Sequence, residues 1–401
     1  MAAGGARHPV VSPGDFPDWV VALGEEGSDP LVPHQGGVVR VDEYASSGHY
    51  DRMDEDLTAV AGLGVTVWRY GMPWRLTEPD PGRYDWTLWD RAFAACERHG
   101  LTPVVDLCHF GLPDHLAGGF GDPAWVDAFE RYVDAFLARY PGPRWFTPVN
   151  EPFITAFHSG LMGMWNEAKA STADFGRALV NVVAANVGAI HRIRADRDGW
   201  WIGAEGFVVP LAPPDAPEAA DEMRAVSHLV WDLHLGVEPR AAGQAVLDQV
   251  PDAMRDRIVP LTDRERMVCG HDVYPTSIVP VGGASMPSPE ERLDLYAAEA
   301  RSWFDRYGAP FWVAETSNLS LPVDQQVPWL EGMVRRLGDL RHDGLPVRGV
   351  CWYSRGDQYD WDSSLTQPVG RVTEVGLFDA ERRPRPVAEA YARLAASPPP
   401  G

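Results

Sequence analysis

Thr102-Pro-Val-Val-Asp-Leu-Cys108, Asp122-Pro-Ala-Trp-Val-Asp-Ala-Phe-Glu-Arg-Tyr-Val-Asp-Ala-Phe-Leu137 and Trp145-Phe-Thr-Pro-Val149 follow one another along the chain. The first and third are short apolar runs bearing β-branched and aromatic side chains, the composition of buried strands. In the middle segment Trp125, Val126, Phe129, Tyr132, Val133, Phe136 and Leu137 recur three and four apart, which predicts a helix with one apolar face. Asp122-Pro123 places an N-cap ahead of a first-turn proline. The unit is strand, helix, strand, and it recurs on both sides.

Candidate strands are Trp19–Leu23, Val65–Tyr70, Thr102–Cys108, Trp145–Val149, Trp201–Ala204, Met267–Tyr274, Pro310–Glu315 and Gly349–Ser354. Between them lie helical patterns at Tyr50–Gly62, Asp174–Arg194, Pro217–Leu235, Ser288–Tyr307, Asp324–Arg341 and Pro386–Ala395. A further helix, capped by Thr87 and carrying Leu88, Phe93 and Cys96, stops at Gly100. Eight alternations predict an α/β fold, a closed (β/α)8 TIM barrel, in preference to an open doubly wound sheet. The GxGxxG of a dinucleotide-binding sheet does not occur. With no internal repeat or linker, residues 1–401 are expected to form a single catalytic domain with a frayed tail at 397–401.

Composition narrows the partners. Of 401 residues, 35 are Lys or Arg and 57 Asp or Glu, a formal net charge of −22. That excess argues against nucleic acid and acidic membranes as partners. Lys169 is the only lysine, so Schiff-base or phosphate-gripping chemistry has one candidate. Cys96, Cys108, Cys269 and Cys351 show no CxxC spacing and read as buried reduced thiols. The N-terminus lacks a leader pattern and no apolar run approaches a membrane span, which predicts a soluble, cytoplasmic chain. Asp114, His109 and His115 share no ligand spacing, and phosphate loops and Ser-His-Asp signals are absent. Neither a metal nor a cofactor is expected. Oligomeric state is left open.

A barrel builds its site at the C-terminal mouths of its strands. There the sequence places Arg69-Tyr70, then Asp106 and His109, then Asn150-Glu151-Pro152, then Glu205. Further round come His271, Asp272 and Tyr274, then Glu315, then Trp352, Tyr353 and Arg355 with the loop Asp357–Trp361. Such a ring of carboxylates, Arg, His and aromatics suits a polyhydroxylated ligand. Glu151 and Glu315 belong to strands nearly opposite across the mouth, so both can converge on one bond. Glycosidic cleavage needs such a pair: one carboxylic acid protonates the leaving oxygen and the other attacks the anomeric carbon or activates water.

These segments resemble glycoside hydrolase family 1, the β-glucosidase family. Arg144-Trp-Phe-Thr-Pro-Val-Asn150-Glu151-Pro152 is similar to its TFNEP acid/base segment, and Ala314-Glu315-Thr316-Ser317-Asn318 to its TENG nucleophile segment. Trp68-Arg69-Tyr-Gly-Met-Pro-Trp74 resembles RFSISW, and Pro103-Val-Val-Asp-Leu-Cys-His109-Phe-Gly-Leu-Pro113 resembles PxVTLYHWDLP. Asp272-Val-Tyr274 falls where NYY would stand, and Trp352-Tyr-Ser-Arg-Gly-Asp357-Gln-Tyr-Asp360-Trp361 echoes WSLLDNFEW. The ordered motifs cover residues 50 to 395.

Carried over residue by residue, the resemblance implies Glu151 as acid/base and Glu315 as the nucleophile that forms a glycosyl-enzyme. It implies Asn150 at the sugar 2-hydroxyl, Arg69 and Tyr274 contacting and orienting Glu315, and His109 near the 2- and 3-hydroxyls. Trp352 would be the sugar platform, Asp360 stands where the family uses a Glu on the outer hydroxyls, and Trp361 would also bind substrate. Three departures fall in the sugar shell. The first-strand QIEG is not recognisable, with the Glu25-Glu26 and Pro33-His34-Gln35-Gly36 segments as stand-ins; Phe110 and Gly111 replace Trp and Asp; and one extra residue separates Trp352 from Asp357. The expected function is a retaining β-glycosidase acting on a small-molecule glycoside with a changed glycone. The alternatives are transfer to an acceptor alcohol and a non-catalytic carbohydrate-binding barrel.

Overall fold

A computed structural model describes residues 14–25 and 27–397. The expectations for the N-terminal 13 residues, for Glu26 and for tail residues 398–401 lie outside the described residues.

Eight parallel strands close into a barrel: β1 (Val20–Glu25), β2 (Val67–Gly71), β3 (Thr102–Asp106), β4 (Trp145–Thr147), β5 (Trp200–Ile202), β6 (Met267–Asp272), β7 (Phe311–Glu315) and β8 (Val347–Tyr353). Each pairs with its sequence neighbours, and β1 closes the ring by pairing with both β2 and β8. Helices cover the outside: α1 (His49–Gly62), α2 (Thr87–His99), α3 (Ala124–Arg139), α4 (Thr172–Asp196), α5 (Leu229–Leu235), α6 (Pro289–Tyr307), α7 (Gln326–His342) and α8 (Pro386–Ala396). The expected helix 217–235 breaks at His228 into Glu218–Ser227 and α5. Thr87 is the first residue of α2 rather than its cap; the Asp85 carboxylate accepts its N–H. Pro123, not Asp122, is the cap residue of α3; Asp122 lies one residue earlier and its carboxylate accepts the Ala124 N–H.

Strand side chains alternate between two environments. Val20, Ala22, Val67, Val104, Trp145, Ile202, Ala204, Val268, Trp312, Ala314 and Cys351 fill the barrel interior, with Phe16 edge-on to Trp145 and Trp312. Their strand neighbours Leu23, Trp68, Val105, Phe146, Trp201, Cys269, Val313 and Trp352 belong to the larger core shared with the helices. The lower barrel is therefore packed solid, and a ligand has room only at the strand mouths. All four cysteines are buried. No helix among the described residues is long and apolar enough to cross a membrane.

Three small sheets decorate the mouth loops. A hairpin pairs Leu31–His34 with Gly37–Arg40 after β1. Val209–Leu211 runs beside Ile278–Pro280, joining the loops after β5 and β6, and Gln358–Tyr359 pairs with Val372–Thr373 after β8.

Candidate active site

Counting in twos along the interior rows delivers most of the site. Val67 leads to Arg69, Val104 to Asp106, Val268 and Gly270 to Asp272, and Cys351 to Tyr353. Glu315 breaks the count. Ala314 is an interior residue and Val313 an outer one, so regular alternation would turn Glu315 outward. The β6–β7 register shifts between Val313 and Glu315, and that irregularity re-aims the side chain into the mouth, the usual effect of a bulge.

Glu151 is placed by a different device. Its backbone is left-handed, φ 38°, where a non-glycine residue is strained, and its N–H is held by the Ala204 carbonyl. Pro152 then opens the short helix Pro152–Ala156, and a π-helical turn follows at Phe157–Leu161. Such turns recur at functional sites because they shift side chains out of helical register.

Fully buried Arg69 organises the mouth. Its guanidinium donates to Glu315 Oε1 at 2.5 Å, to Asp106 Oδ2 at 3.1 Å and to Asn150 Oδ1. The Tyr274 hydroxyl donates to Glu315 Oε2 at 2.6 Å, so each oxygen of that carboxylate accepts one hydrogen bond. Asp106 also accepts from His109 Nδ1 at 3.0 Å; with that nitrogen the donor, Nε2 accepts from Asn150 Nδ2 at 3.3 Å. One carboxylate oxygen of each of Glu151, Asp272 and Glu315 lies within 4.8 Å of the other two. Burial, then the neighbouring Glu315 and Glu205 charges, holds Glu151 well above the usual carboxylate range. Asp272 is raised in the same way by burial, Glu315 and Glu151. Burial likewise lifts Glu205, whose oxygens accept the Phe153 and Gly206 N–H groups.

Two cavities meet at these acids. A slot of about 40 Å³ lies among Glu151, Tyr274, Glu315, Tyr353, Gln358 and Trp361. A larger cavity of about 710 Å³ opens beyond Glu151, Asp272 and Tyr274, with walls that include Phe153, Phe157, Leu161, Phe207, Met223 and Val279. A carboxylate–histidine cluster, Glu25, His49 and Asp56, forms at the end of β1, where Arg355 pairs with Glu25 and Asp56 and Arg382 with Asp56.

Of the expected site residues, the structure brings Glu151, Glu315, Asn150, His109, Arg69, Tyr274 and Trp361 to the mouth, and it relocates others. Trp352 is not a platform. It points outward, fully buried, its indole N–H donating to the Val375 carbonyl at 2.9 Å beside Tyr391 of α8. The inward ring is Tyr353, and Tyr353–Trp361 matches the nine residues of WSLLDNFEW without an insertion. Asp360 does not face the slot: its two oxygens accept the Gly370 and Arg371 N–H groups at 2.8 Å and tie that loop. His271, next to inward Asp272, turns outward and stacks between Phe207 and Phe311. Of the first-strand stand-ins, Gln35 is exposed at the hairpin tip and Glu25 is paired with Arg355. Sequence reasoning placed Asp272 and Tyr353 on the rim without giving them a part; counting in twos from Val268 and Cys351 would have found both.

A (β/α)8 barrel with carboxylates converging on a small slot is an arrangement suited to glycoside hydrolysis. Residues 38–254 match the description Glycosyl hydrolase family 1. The chain is 27% identical to β-glucosidase A of Thermotoga maritima, over 81% of each chain. It is 24% identical to a β-glucosidase of an Agrobacterium species, over 81% of this chain and 79% of that one. Human Klotho is 28% identical over 39% of this chain, a match spanning only 16% of Klotho. A structure of Thermotoga maritima β-glucosidase in complex with deoxynojirimycin superposes with a TM-score of 0.79 at 16% identity, covering 96% of this chain and 99% of that one. The chain belongs to glycosyl hydrolase family 1.

Proposed function

We propose that this enzyme is a retaining β-glycosidase that hydrolyses a small-molecule β-glycoside by double displacement. The observation that carries the reading is that one carboxylate oxygen of Glu151 comes within 4.8 Å of one of Glu315. Retaining pairs stand about 5–5.5 Å apart, whereas inverting pairs need about 6.5–9.5 Å to admit a water. Glu315 attacks the anomeric carbon while Glu151 gives its proton to the departing oxygen, leaving a glycosyl ester on Glu315. Water then loses a proton to Glu151 and attacks the same carbon, releasing the sugar with its configuration kept. Arg69 and Tyr274 hold Glu315 in line, Asn150 and His109 meet the 2- and 3-hydroxyl edge, and Tyr353 and Trp361 provide faces for sugar C–H groups.

The leaving group sits on the side of the acid that protonates it. For this chain that side is the 710 Å³ cavity, whose largely apolar walls suit an aryl or alkyl aglycone better than a second sugar. The same walls favour a second reading, transfer of the glycosyl group to an acceptor alcohol, because they hold an alcohol in place of water.

The test is Glu315→Gln, expected to abolish turnover of nitrophenyl glycosides, together with Glu151→Gln, expected to lose about 10²–10⁴-fold on poor leaving groups. Proton NMR of the first-formed anomer reads the stereochemistry; an inverted product, or normal turnover by Glu315→Gln, refutes the assignment. An added alcohol that appears in the product as an alkyl glycoside identifies the transferase.

A further inference from the structure

Asp272 is a buried acid at the mouth that the double displacement leaves without a task. It closes β6, is 1% exposed, and neither of its carboxylate oxygens meets a donor among the described residues. We propose that Asp272 is a positioning residue for the acid/base, sharing a single proton with Glu151 across the gap between β4 and β6. The proposal rests on the reading of Glu151 as the acid.

The surroundings leave this arrangement as the balanced one. From β2, Arg69 donates to Glu315, Asp106 and Asn150; from the loop after β6, Tyr274 donates to Glu315. Glu205, after β5, spends its oxygens on two backbone N–H groups, and His271 faces the other side of β6. Glu315, on β7, completes the triangle of carboxylates. Two buried carboxyl groups this close do not both ionise; the pair keeps a proton, and its O–H supplies the donor that Asp272 otherwise lacks. The pair then titrates as a unit.

The charge ledger closes through both steps. At rest the Glu151–Asp272 pair carries one negative charge and Glu315 another. In the first step the pair's proton goes to the glycosidic oxygen, the bond from that oxygen to the anomeric carbon breaks, and a bond from Glu315 to the carbon forms. The charge lost at Glu315 is the charge gained by the pair. In the second step the proton from water returns to the pair, the water oxygen bonds to carbon, and Glu315 leaves as a carboxylate.

The experiment is Asp272→Asn, which keeps the shape and removes the shareable proton. An amide N–H donated to Glu151 favours its ionised form, so the basic limb of the kcat/KM profile should move down by about one pH unit or more. The loss should be larger for alkyl than for dinitrophenyl glycosides, because the latter need little help from an acid. A purely structural contribution would lower both alike and leave the limb in place. An unmoved limb overturns the proposal. Infrared difference spectra between the wild-type enzyme and Asp272→Asn near neutral pH provide a second check, since other buried acids cancel: loss of a protonated carboxyl band in the variant is expected, and an unchanged band overturns the proposal. Loss of wild-type activity on chelation, restored by calcium, also overturns it, since the three acids would then hold a cation. Glu151→Gln is run beside these; full activity there would remove the acid/base reading itself, an outcome distinct from an unmoved limb in Asp272→Asn.

Discussion

At Glu315 two hydrogen bonds converge, one from Arg69 and one from Tyr274, and each uses a different oxygen. Removing a hydrogen bond to a charged group costs about 1.5–3 kcal/mol, so Tyr274→Phe should lower kcat/KM by about ten- to a hundredfold without unfolding the protein. Steady-state kinetics with matched melting curves check this. In the proposed mechanism Glu151 sets the pH behaviour. Its carboxyl is raised by burial and by its acidic neighbours, and the first step needs the protonated form. Activity should therefore hold at mildly acidic pH and fall as pH rises through that raised value; a rate that climbs steadily into alkaline solution would contradict it. The identities of these residues were legible in the Asn150-Glu151-Pro152 and Ala314-Glu315 segments. Asp360 was not, because its position in the motif says nothing of the backbone N–H groups of Gly370 and Arg371 that claim it.

Strand alternation decides most of what an element presents, and its exceptions carry the site. Trp352 and Tyr353 differ by one residue and by 180° of direction, which is why an indole expected at the sugar packs against α8 instead. Glu315 shows the reverse: regular alternation would bury it against the helices, and a shift in register turns it inward. The closeness of β5 and β6 that places Asp272 depends on Gly270, where an added Cβ would overlap the Gly203 carbonyl. Gly270→Ala should destabilise the fold by about 1–3 kcal/mol and depress activity with it, as read by denaturant unfolding and kinetics. Arg355 joins β8 to β1 and α1 through Glu25 and Asp56, all buried. Arg355→Met strands buried Glu25, while Asp56 keeps Arg382 and His49, and should cost about 3–5 kcal/mol, measured as a lower Tm. None of these packing relations is local, so periodicity alone could not supply them.

For the whole molecule the relevant quantities are charge and space. A net charge of −22 and a mouth lined by Glu151, Asp272, Glu315, Glu205 and Asp106 disfavour anionic substrates. A 6-phosphoglycoside should accordingly be a far poorer substrate than its neutral parent; equal kcat/KM for the two would refute this. The apolar cavity predicts a graded response to the leaving group. In a series of alkyl glycosides each buried methylene contributes about 0.8 kcal/mol, or about fourfold in kcat/KM, until the cavity is filled. A flat series would show that the aglycone lies elsewhere.

The amino-acid sequence by itself determined the alternation of eight strands and helices and the kinds of side chain at the strand mouths, because hydrophobic period and residue chemistry are local properties. Only the tertiary structure decided which of two adjacent residues faces the ligand, how a shifted register admits Glu315, and how near Asp272 comes to Glu151. Those depend on pairing with neighbouring strands and on distances in a dry interior, where the charge on one carboxyl is set by the others around it.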